Sequence, residues 1–362
     1  MRVVEVVARA FRLPLRRAWD GGVDRNDIVV VRLRTDAGVV GTGFSWTPLI
    51  GAGAVESLVN ADLAPVLVGG AAHPSRWEEL RWYLREAGTT GLTLMALAGV
   101  DIALWDVRAK AAGLPLVDLL GRRRDRVAAY GSGVNLDYPV EDLTEQVSSW
   151  VEAGHRTVKI KVGSAEVGRD VERVGAVRRV LGEERSLMVD ANQRWDVPTA
   201  AEALDRLDEY GVHSVEEPLP AQDLAAHERL RGRTRLPFAL GENLRTVEEF
   251  ERFVEAGVCD VAQPNVVRVG GITPFLRIAE VMARRGVPVA PHLLPELSGQ
   301  LALCLPRVAM VEDIDHASFE ALGALADPSG VRIERGWLRA GTGPGHGLSF
   351  ADDLTPLPWH GR

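Results

Sequence analysis

Asp190, Glu216 and Glu242 each close a short β-rich run, and twenty-six positions separate each from the next. So regular an interval sets them at the ends of successive strands of one repeating unit. Acids converging there repel and raise one another's pKa values unless something positive lies between them. The donors are all oxygen, without cysteine or histidine, which favours a hard cation: Mg2+ first, Mn2+ second. Taken singly, each acid could equally be an N-cap or first-turn charge at a strand–helix junction; three in register favour the metal. Lys159 and Lys161 stand two apart on the run Thr157–Lys161, so both face one side while Ile160 faces the other. A paired ammonium lowers its neighbour's pKa, which suits one of them as a general base. His292 closes a later run and would act as acid or base from the opposite side of a ring. Glu312 closes the last run, within reach of a substrate oxygen. Glu217, Glu296 and Asp313 read as helix caps or arginine partners, and the clusters 122–124 and 231–235 as solvated surface arginines.

The elements that must position these residues change grammar once along the chain. From residue 126, runs at 127–131, 157–161, 187–190, 213–217, 238–242, 259–263, 287–292 and 308–311 alternate with helical segments. Several runs follow a glycine: Gly154, Gly182, Gly211, Gly257 and Gly286. Units of about 25 residues fit a (β/α)8 barrel rather than an open doubly wound sheet. The active site of a barrel lies at the C-terminal ends of its strands, where the polar residues fall. Upstream, 3–11 and 28–33 read as strands, and Asp36-Ala37-Gly38 turns into Val39-Val40-Gly41. Between the first two strands, 16–27 reads as a polar loop carrying Trp19 and Gly21-Gly22. Helical spacing runs from 53 to 120, clearest over 93–112, and stops at Gly113 before Pro115. The expected fold is α/β: a TIM-like barrel over 124–322, an α+β N-terminal cap over 1–123, and a C-terminal segment, 323–362, that returns to the cap.

Composition excludes more than it identifies. The chain has 362 residues, 46% of them hydrophobic and 25% charged, which rules out disorder, collagen and coiled coil. A net charge of −8 disfavours a nucleic-acid partner. Two cysteines cannot build a disulfide framework and suggest a reducing compartment. No apolar run is long enough to cross a membrane, and no signal-peptide core follows Met1. A cytoplasmic location is the resulting expectation.

With these residues assembled, the chain resembles the enolase superfamily, in its mandelate racemase and acid-sugar dehydratase group. The likeness rests on Ala98-Gly99-Val100-Asp101 through Asp106, Lys110-Ala111-Ala112-Gly113-Leu114-Pro115, Lys159-x-Lys161, Asp190-Ala191-Asn192-Gln193, Glu216-Glu217-Pro218, Gly241-Glu242-Asn243, Val269-Gly270-Gly271-Ile272-Thr273 and Gly341-Thr342-Gly343-Pro344-Gly345. It implies Asp190, Glu216 and Glu242 as Mg2+ ligands (Mn2+ possible). Lys161 would be the base that takes the proton α to a carboxylate, with Lys159 beside it. His292 would be the second acid/base, Glu312 the acid that bonds the substrate carboxylate, and Asn192 a polar residue beside the metal. The implied reaction passes through an enediolate, as dehydration of an aldonate or aldarate to a 2-keto-3-deoxy acid. Racemisation, epimerisation and lactone cycloisomerisation use the same step, and a non-catalytic metal- or anion-binding barrel is the remote alternative. The group usually places an aspartate behind the histidine; this chain has Asn265, which brings no charge and tilts the reading toward dehydration. Arg268 stands where some relatives carry lysine. Trp19 and Arg25 in the cap, with 46–48 and 130–138, are the expected substrate contacts. The partner is a small carboxylate, without nucleic acid or membrane, and the resemblance implies a homo-oligomer, a dimer or an octamer.

Overall fold

The computed structural model describes residues 1–357. The chain opens with an antiparallel meander of β1 (Val3–Trp19), β2 (Val23–Thr35) and β3 (Val40–Pro48). Val6, Ala8, Ala10, Val29, Val31 and Leu33 are buried on one face, with the period of two of a strand, while Asn26–Val31 of β2 is buried on both faces. The helix Leu92–Ala111 packs on that face, its backbone close to β3 at Gly41 and Gly43. The segment 16–27 is not the expected loop. Both strands run almost to the tip, where Trp19 pairs with Val23 across the turn Asp20–Gly22. Gly21 and Gly22 take φ of 73° and 77°, conformations that only glycine adopts without cost. Asp20 then accepts hydrogen bonds from the backbone N–H groups of Leu136 and Asp137, pinning the tip to the barrel.

The barrel follows. β4 (Val127–Ser132), β5 (Thr157–Lys161), β6 (Ser186–Asp190), β7 (Val212–Glu216), β8 (Phe238–Leu240) and β9 (Val261–Ala262) lie parallel in chain order. Val289 bridges Ala262 to Val308, and β10 (Val311–Ile314) pairs with β4 to close the ring. The seventh position shrinks to a bridge because Pro288 and Pro291 flank it without N–H donors. All five glycines that lead these runs have positive φ, a region glycine enters without cost where a helix ends. The unit without such a glycine turns by another device. Arg231 donates to Leu236 O and pairs with Asp260, which also accepts from the Phe238 N–H.

Arg231 is therefore a loop clamp rather than a solvated surface charge. The same correction applies at 122–124. Arg123 and Arg124 donate to the carbonyls of Cys304 and Ala302 at the end of the helix Pro295–Ala302, where terminal carbonyls lack intrahelical partners. Cap and barrel are joined again at Asp101, whose carboxylate accepts from the N–H and hydroxyl of Thr273 at the start of the helix Ile272–Arg284. Burial pushes the Asp101 carboxyl up to about 7.

Beyond residue 322 the chain first makes a hairpin, β11 (Arg332–Glu334) and β12 (Trp337–Arg339), which adds to the barrel sheet at β4. It then reaches the cap, where β13 (Thr355–Pro356) pairs with β1. Residues 358–362 of the expected C-terminal segment lie outside the described residues. Among the described residues no helix is long and apolar enough to cross a membrane.

The contact between β3 and the helix Leu92–Ala111 yields a direct test. A Cβ at Gly43 would sit 1.9 Å from Gly99 O, backbone against backbone, whereas one at Gly53 meets nothing. Gly43→Ala is expected to cost about 1–3 kcal/mol or more. Gly53→Ala should be neutral or gain about 0.5 kcal/mol. Urea denaturation of both variants checks the contrast.

Candidate active site

Strand register sets the geometry. Lys161, Asp190 and Glu216 are successive partners across β5, β6 and β7, so their side chains share one row of the barrel. Glu242 lies beyond the end of β8, carried there by Gly241 at φ 133°. One oxygen from each of Asp190, Glu216 and Glu242 lies within 4.8 Å of the others, and all three residues are buried. Asn192 and Gln193 follow Asp190 with φ of 42° and 63°. That sharp turn brings the Asn192 N–H to Asp190 Oδ1 at 2.9 Å. Asn192 thus supports the set through its backbone.

The lysines do not behave as a simple like-charge pair. Lys159 Nζ is 2.8 Å from both Glu216 Oε2 and Glu312 Oε1, and 3.9 Å from Asp190 Oδ2. Burial alone would lower its pKa, but Glu216 and Glu312 hold it well above the usual lysine value. Lys161 Nζ is 2.5 Å from Asp190 Oδ2. Burial lowers its pKa too, and Lys159 adds to that, yet Asp190 with Glu216 and Glu242 turns the net shift upward. The expected lowering of Lys161 by its neighbour is overturned, because an opposite charge in contact exceeds a like charge further off. While Asp190 keeps its full charge, the ammonium form of Lys161 is favoured.

The acids divide in the same way. Burial and Asp190 raise Glu216 well above the carboxylate range against the pull of Lys159, and its Oε1 is buried with no hydrogen-bond partner. Burial would also raise Glu242, but His292, Arg268 and Lys161 bring it well below its ordinary value. Glu312 is lowered to about 2, against burial, chiefly by Lys159. It also accepts from Ser132 Oγ at 2.7 Å and Leu293 N at 3.0 Å, so its oxygens are committed to the protein. His292 Nε2 is 3.0 Å from Glu242 Oε2, and Asn265 Nδ2 is 3.0 Å from His292 Nδ1.

Three further residues complete the network. Gln263 Nε2 donates to Glu216 Oε2 at 2.6 Å. Ser132, at the end of β4, holds Glu312. Arg268 Nη1 lies 3.1 Å from Glu242 Oε1 and 3.0 Å from Asn243 Oδ1. Gln263 closes the sixth run and was open to the rule that found Asp190; Ser132 lies one residue past the first run as read. Arg268 stood out in the sequence only as a departure from the lysine of some relatives, without a role, because its side chain returns to the site from the helical side of the junction.

From the cap, Trp19 lies against Trp46 with ring centroids 6.5 Å apart, and the Arg268 guanidinium is 5.7 Å from the Trp46 ring. Arg25 is not among these residues: it pairs with Asp24 and Asp27 at 3.3 and 3.6 Å. Glu217 takes neither expected role. It accepts from Asn243 Nδ2 and is raised by burial and Glu242 to about 8. Asp313 pairs with His155 rather than an arginine. Glu296 does lie in the first turn of Pro295–Ala302 and accepts from the Glu320 N–H.

A capped parallel barrel with a buried acid triad, two lysines and a histidine at its strand ends defines a class of barrel with a hard-cation site. Residues 1–121 match the mandelate racemase / muconate lactonizing enzyme N-terminal domain, and residues 142–354 match the enolase C-terminal domain-like family. The chain belongs to the enolase superfamily, in its mandelate racemase / muconate lactonizing enzyme family. It is 35% identical to an L-talarate/galactarate dehydratase of Salmonella typhimurium, over 89% of this chain and 80% of that one. It is 33% identical to a 3,6-anhydro-alpha-L-galactonate cycloisomerase of Streptomyces coelicolor, over 93% and 94% of the two chains. The crystal structure of L-talarate dehydratase from Polaromonas sp. JS666 with Mg and L-glucarate superposes at a TM-score of 0.86, with 35% identity, covering 97% of this chain and 95% of that one.

The triad fits a divalent cation on its own chemistry: hard oxygen donors, buried together, with one Glu216 oxygen unsatisfied. Lys159 is the counter-charge that makes the arrangement tolerable without one. Lys159→Met is expected to destabilise the metal-free protein by about 3–5 kcal/mol, since it strands buried carboxylates. Adding Glu312→Gln should restore part of that loss, and a double-mutant cycle on denaturation midpoints measures the coupling.

Proposed function

We propose that the protein is a Mg2+-dependent enzyme that removes the proton α to a carboxylate of a sugar acid and dehydrates it to a 2-keto-3-deoxy acid. The observation that carries this reading is Lys161 Nζ at 2.5 Å from Asp190 Oδ2, beside the buried acid triad. Asp190, Glu216 and Glu242 would hold the ion. When bound, it supplies positive charge that offsets the enediolate charge developing on the substrate carboxylate. Lys161 takes the α-proton once the charge of Asp190 is offset. Lys159 stays charged between Glu216 and Glu312 and adds to the positive field. Glu312 acts through Lys159 and the Leu293 N–H, and His292 holds Glu242 through Nε2 from the other side of the site. Trp46 and Arg268, with Trp19 behind them, are the side chains of the cap and barrel rim placed to meet the rest of the sugar. The naming of the Salmonella and Polaromonas relatives supports an aldarate or aldonate as substrate.

The cycloisomerase named in Streptomyces coelicolor supports a second reading, in which the same proton removal opens or forms a lactone. A homo-oligomer, dimer or octamer, and a cytoplasmic location complete the proposal; light scattering on the purified protein reads the first.

A screen of sugar acids with Mg2+ in D2O tests the reaction. A 2-keto-3-deoxy product is expected, with a fall of at least about 10^3-fold in Lys161→Ala, the scale of a lost proton-transfer residue. Deuterium at the α-carbon without loss of water would replace dehydration by racemisation or epimerisation. Activity untouched by Lys161→Ala across all substrates would sink the mechanism. Asp190→Asn, Glu216→Gln and Glu242→Gln should each weaken Mg2+ binding by about 10-fold or more, read by calorimetry, since each removes one charged oxygen donor.

A further inference from the structure

The orientation of the Asn265 amide is fixed by the backbone. Its Oδ1 accepts from two backbone donors, Val267 N at 3.0 Å and Arg268 N at 3.1 Å. Turning the amide over would set its NH2 against both N–H groups and leave three buried donors without an acceptor, a cost of about 1–3 kcal/mol for each. Nδ2 therefore points at His292 Nδ1, 3.0 Å away. An amide NH2 has hydrogens and no lone pair to offer, so Nδ1 must be the acceptor and carries no proton. At the other side of the ring, Nε2 lies 3.0 Å from Glu242 Oε2, and a carboxylate only accepts. The ring proton is consequently on Nε2. Asn265 has no exposed surface and His292 is 6% exposed, so water does not replace either contact.

We propose that Asn265 locks His292 in the Nε2–H tautomer, making the histidine a hydrogen-bond donor through Nε2. The donors run in one direction: backbone N–H to Asn265 Oδ1, Asn265 Nδ2 to His292 Nδ1, His292 Nε2 to Glu242. A second proton could enter only at Nδ1, where its N–H would face the NH2 of Asn265. An aspartate at this position would reverse the string, accepting from Nδ1–H and freeing Nε2 as an acceptor. Asn265 is thus a positioning residue, and its effect is on which atom of the ring bears hydrogen.

The consequence for the reaction rests on the function proposed above; the tautomer does not. With His292 presenting a donor N–H in place of a free basic nitrogen, Lys161 is the group placed to carry the proton. It takes the α-proton as the Cα–H pair moves onto the carboxylate to give the enediolate, which then re-forms the carboxylate with a Cα=Cβ bond as the Cβ–O bond breaks. The same Nζ then returns the proton to the departing hydroxyl, which leaves as water. The enol ketonises with solvent, losing its hydroxyl proton and gaining one at Cβ. Removal and expulsion take place on one face of the substrate, and the protein lacks the second base that racemisation requires.

The tautomer is read directly by long-range 1H–15N NMR of the full chain labelled with 15N-histidine at neutral pH, with and without Mg2+ and without substrate. His292→Gln assigns the signal. A pyridine-like Nδ1 with a pyrrole-like Nε2 is the expected pattern. A pyrrole-like Nδ1, or a ring protonated on both nitrogens, would overturn the proposal. Asn265→Asp should convert Nδ1 to the pyrrole-like form; no change there would remove Asn265 as the cause. In D2O with a turned-over sugar acid, the native protein should label or dehydrate one α-configuration only, and Asn265→Asp should gain exchange into the other. Exchange of both configurations by the native protein counts against the lock. Loss of turnover on every acid, with the expected tautomer in place, counts against the proposed function alone.

Discussion

Negative charge cannot be gathered inside a protein without an answering positive charge, and the molecule is organised around that constraint. Asp190, Glu216, Glu242 and Glu312 are buried together at one end of the barrel. Lys159, Lys161 and Arg268 answer them from within contact distance. The acids exceed the bases, and the excess shows as a Glu216 carboxyl pushed far up with one unpartnered oxygen. A divalent cation resolves what the lysines leave unbalanced. Its charge would also relieve the grip of Asp190 on Lys161, which in its ammonium form has no lone pair with which to take a proton. Metal binding and base strength are therefore one electrostatic problem, solved at one pair of atoms.

The barrel makes so dense a cluster possible because main-chain hydrogen bonds, and not side-chain contacts alone, fix the strand ends that carry the charged groups. Lys161, Asp190 and Glu216 are held in one row by the ladders of β5, β6 and β7. Parallel strands buried on both faces tolerate such a row only at their ends, where the chain leaves the ladder. Glu242 and His292 come from strands that are shorter or reduced to a bridge, and their positions depend on Gly241 and on the flanking prolines. The cap adds little charge to the cluster. It supplies the aromatic wall of Trp46 and Trp19 and the hairpin tip anchored by Asp20. The anchoring at Asp101 and Thr273 sets that wall over the strand ends.

Much of this was legible in the sequence, for a reason that also marks its limit. Twenty-six-residue spacing and the leading glycines report the repeat of the barrel, and reading the residue that closes each run locates Asp190, Glu216, Lys161 and Glu312. Side-chain reach does not repeat. Arg268 enters the site from beyond its strand, and Arg25 turns back to Asp24 and Asp27, so neither role could follow from position along a run. The hairpin at 16–27 was hidden because its polar residues mimic a loop while glycine at the turn lets both strands continue. The sign of the Lys161 shift was also out of reach. It depends on a contact with Asp190 across two strands, whereas the sequence shows only the lysine next door.

The string from the backbone through Asn265 and His292 to Glu242 belongs to the same charge problem. A charged aspartate behind the histidine would add another carboxylate to a pocket already in excess of acid, and would have to be met by a proton on the ring. Asparagine avoids that addition. It leaves the site with fewer buried charges and passes a neutral donor forward to Glu242, which needs one because Arg268 and Asn243 contact its other oxygen. The substitution therefore lowers the electrostatic demand of the metal-free protein. In return the histidine presents an N–H donor in place of a free basic nitrogen, and proton traffic falls to Lys161, the group in contact with Asp190 of the triad.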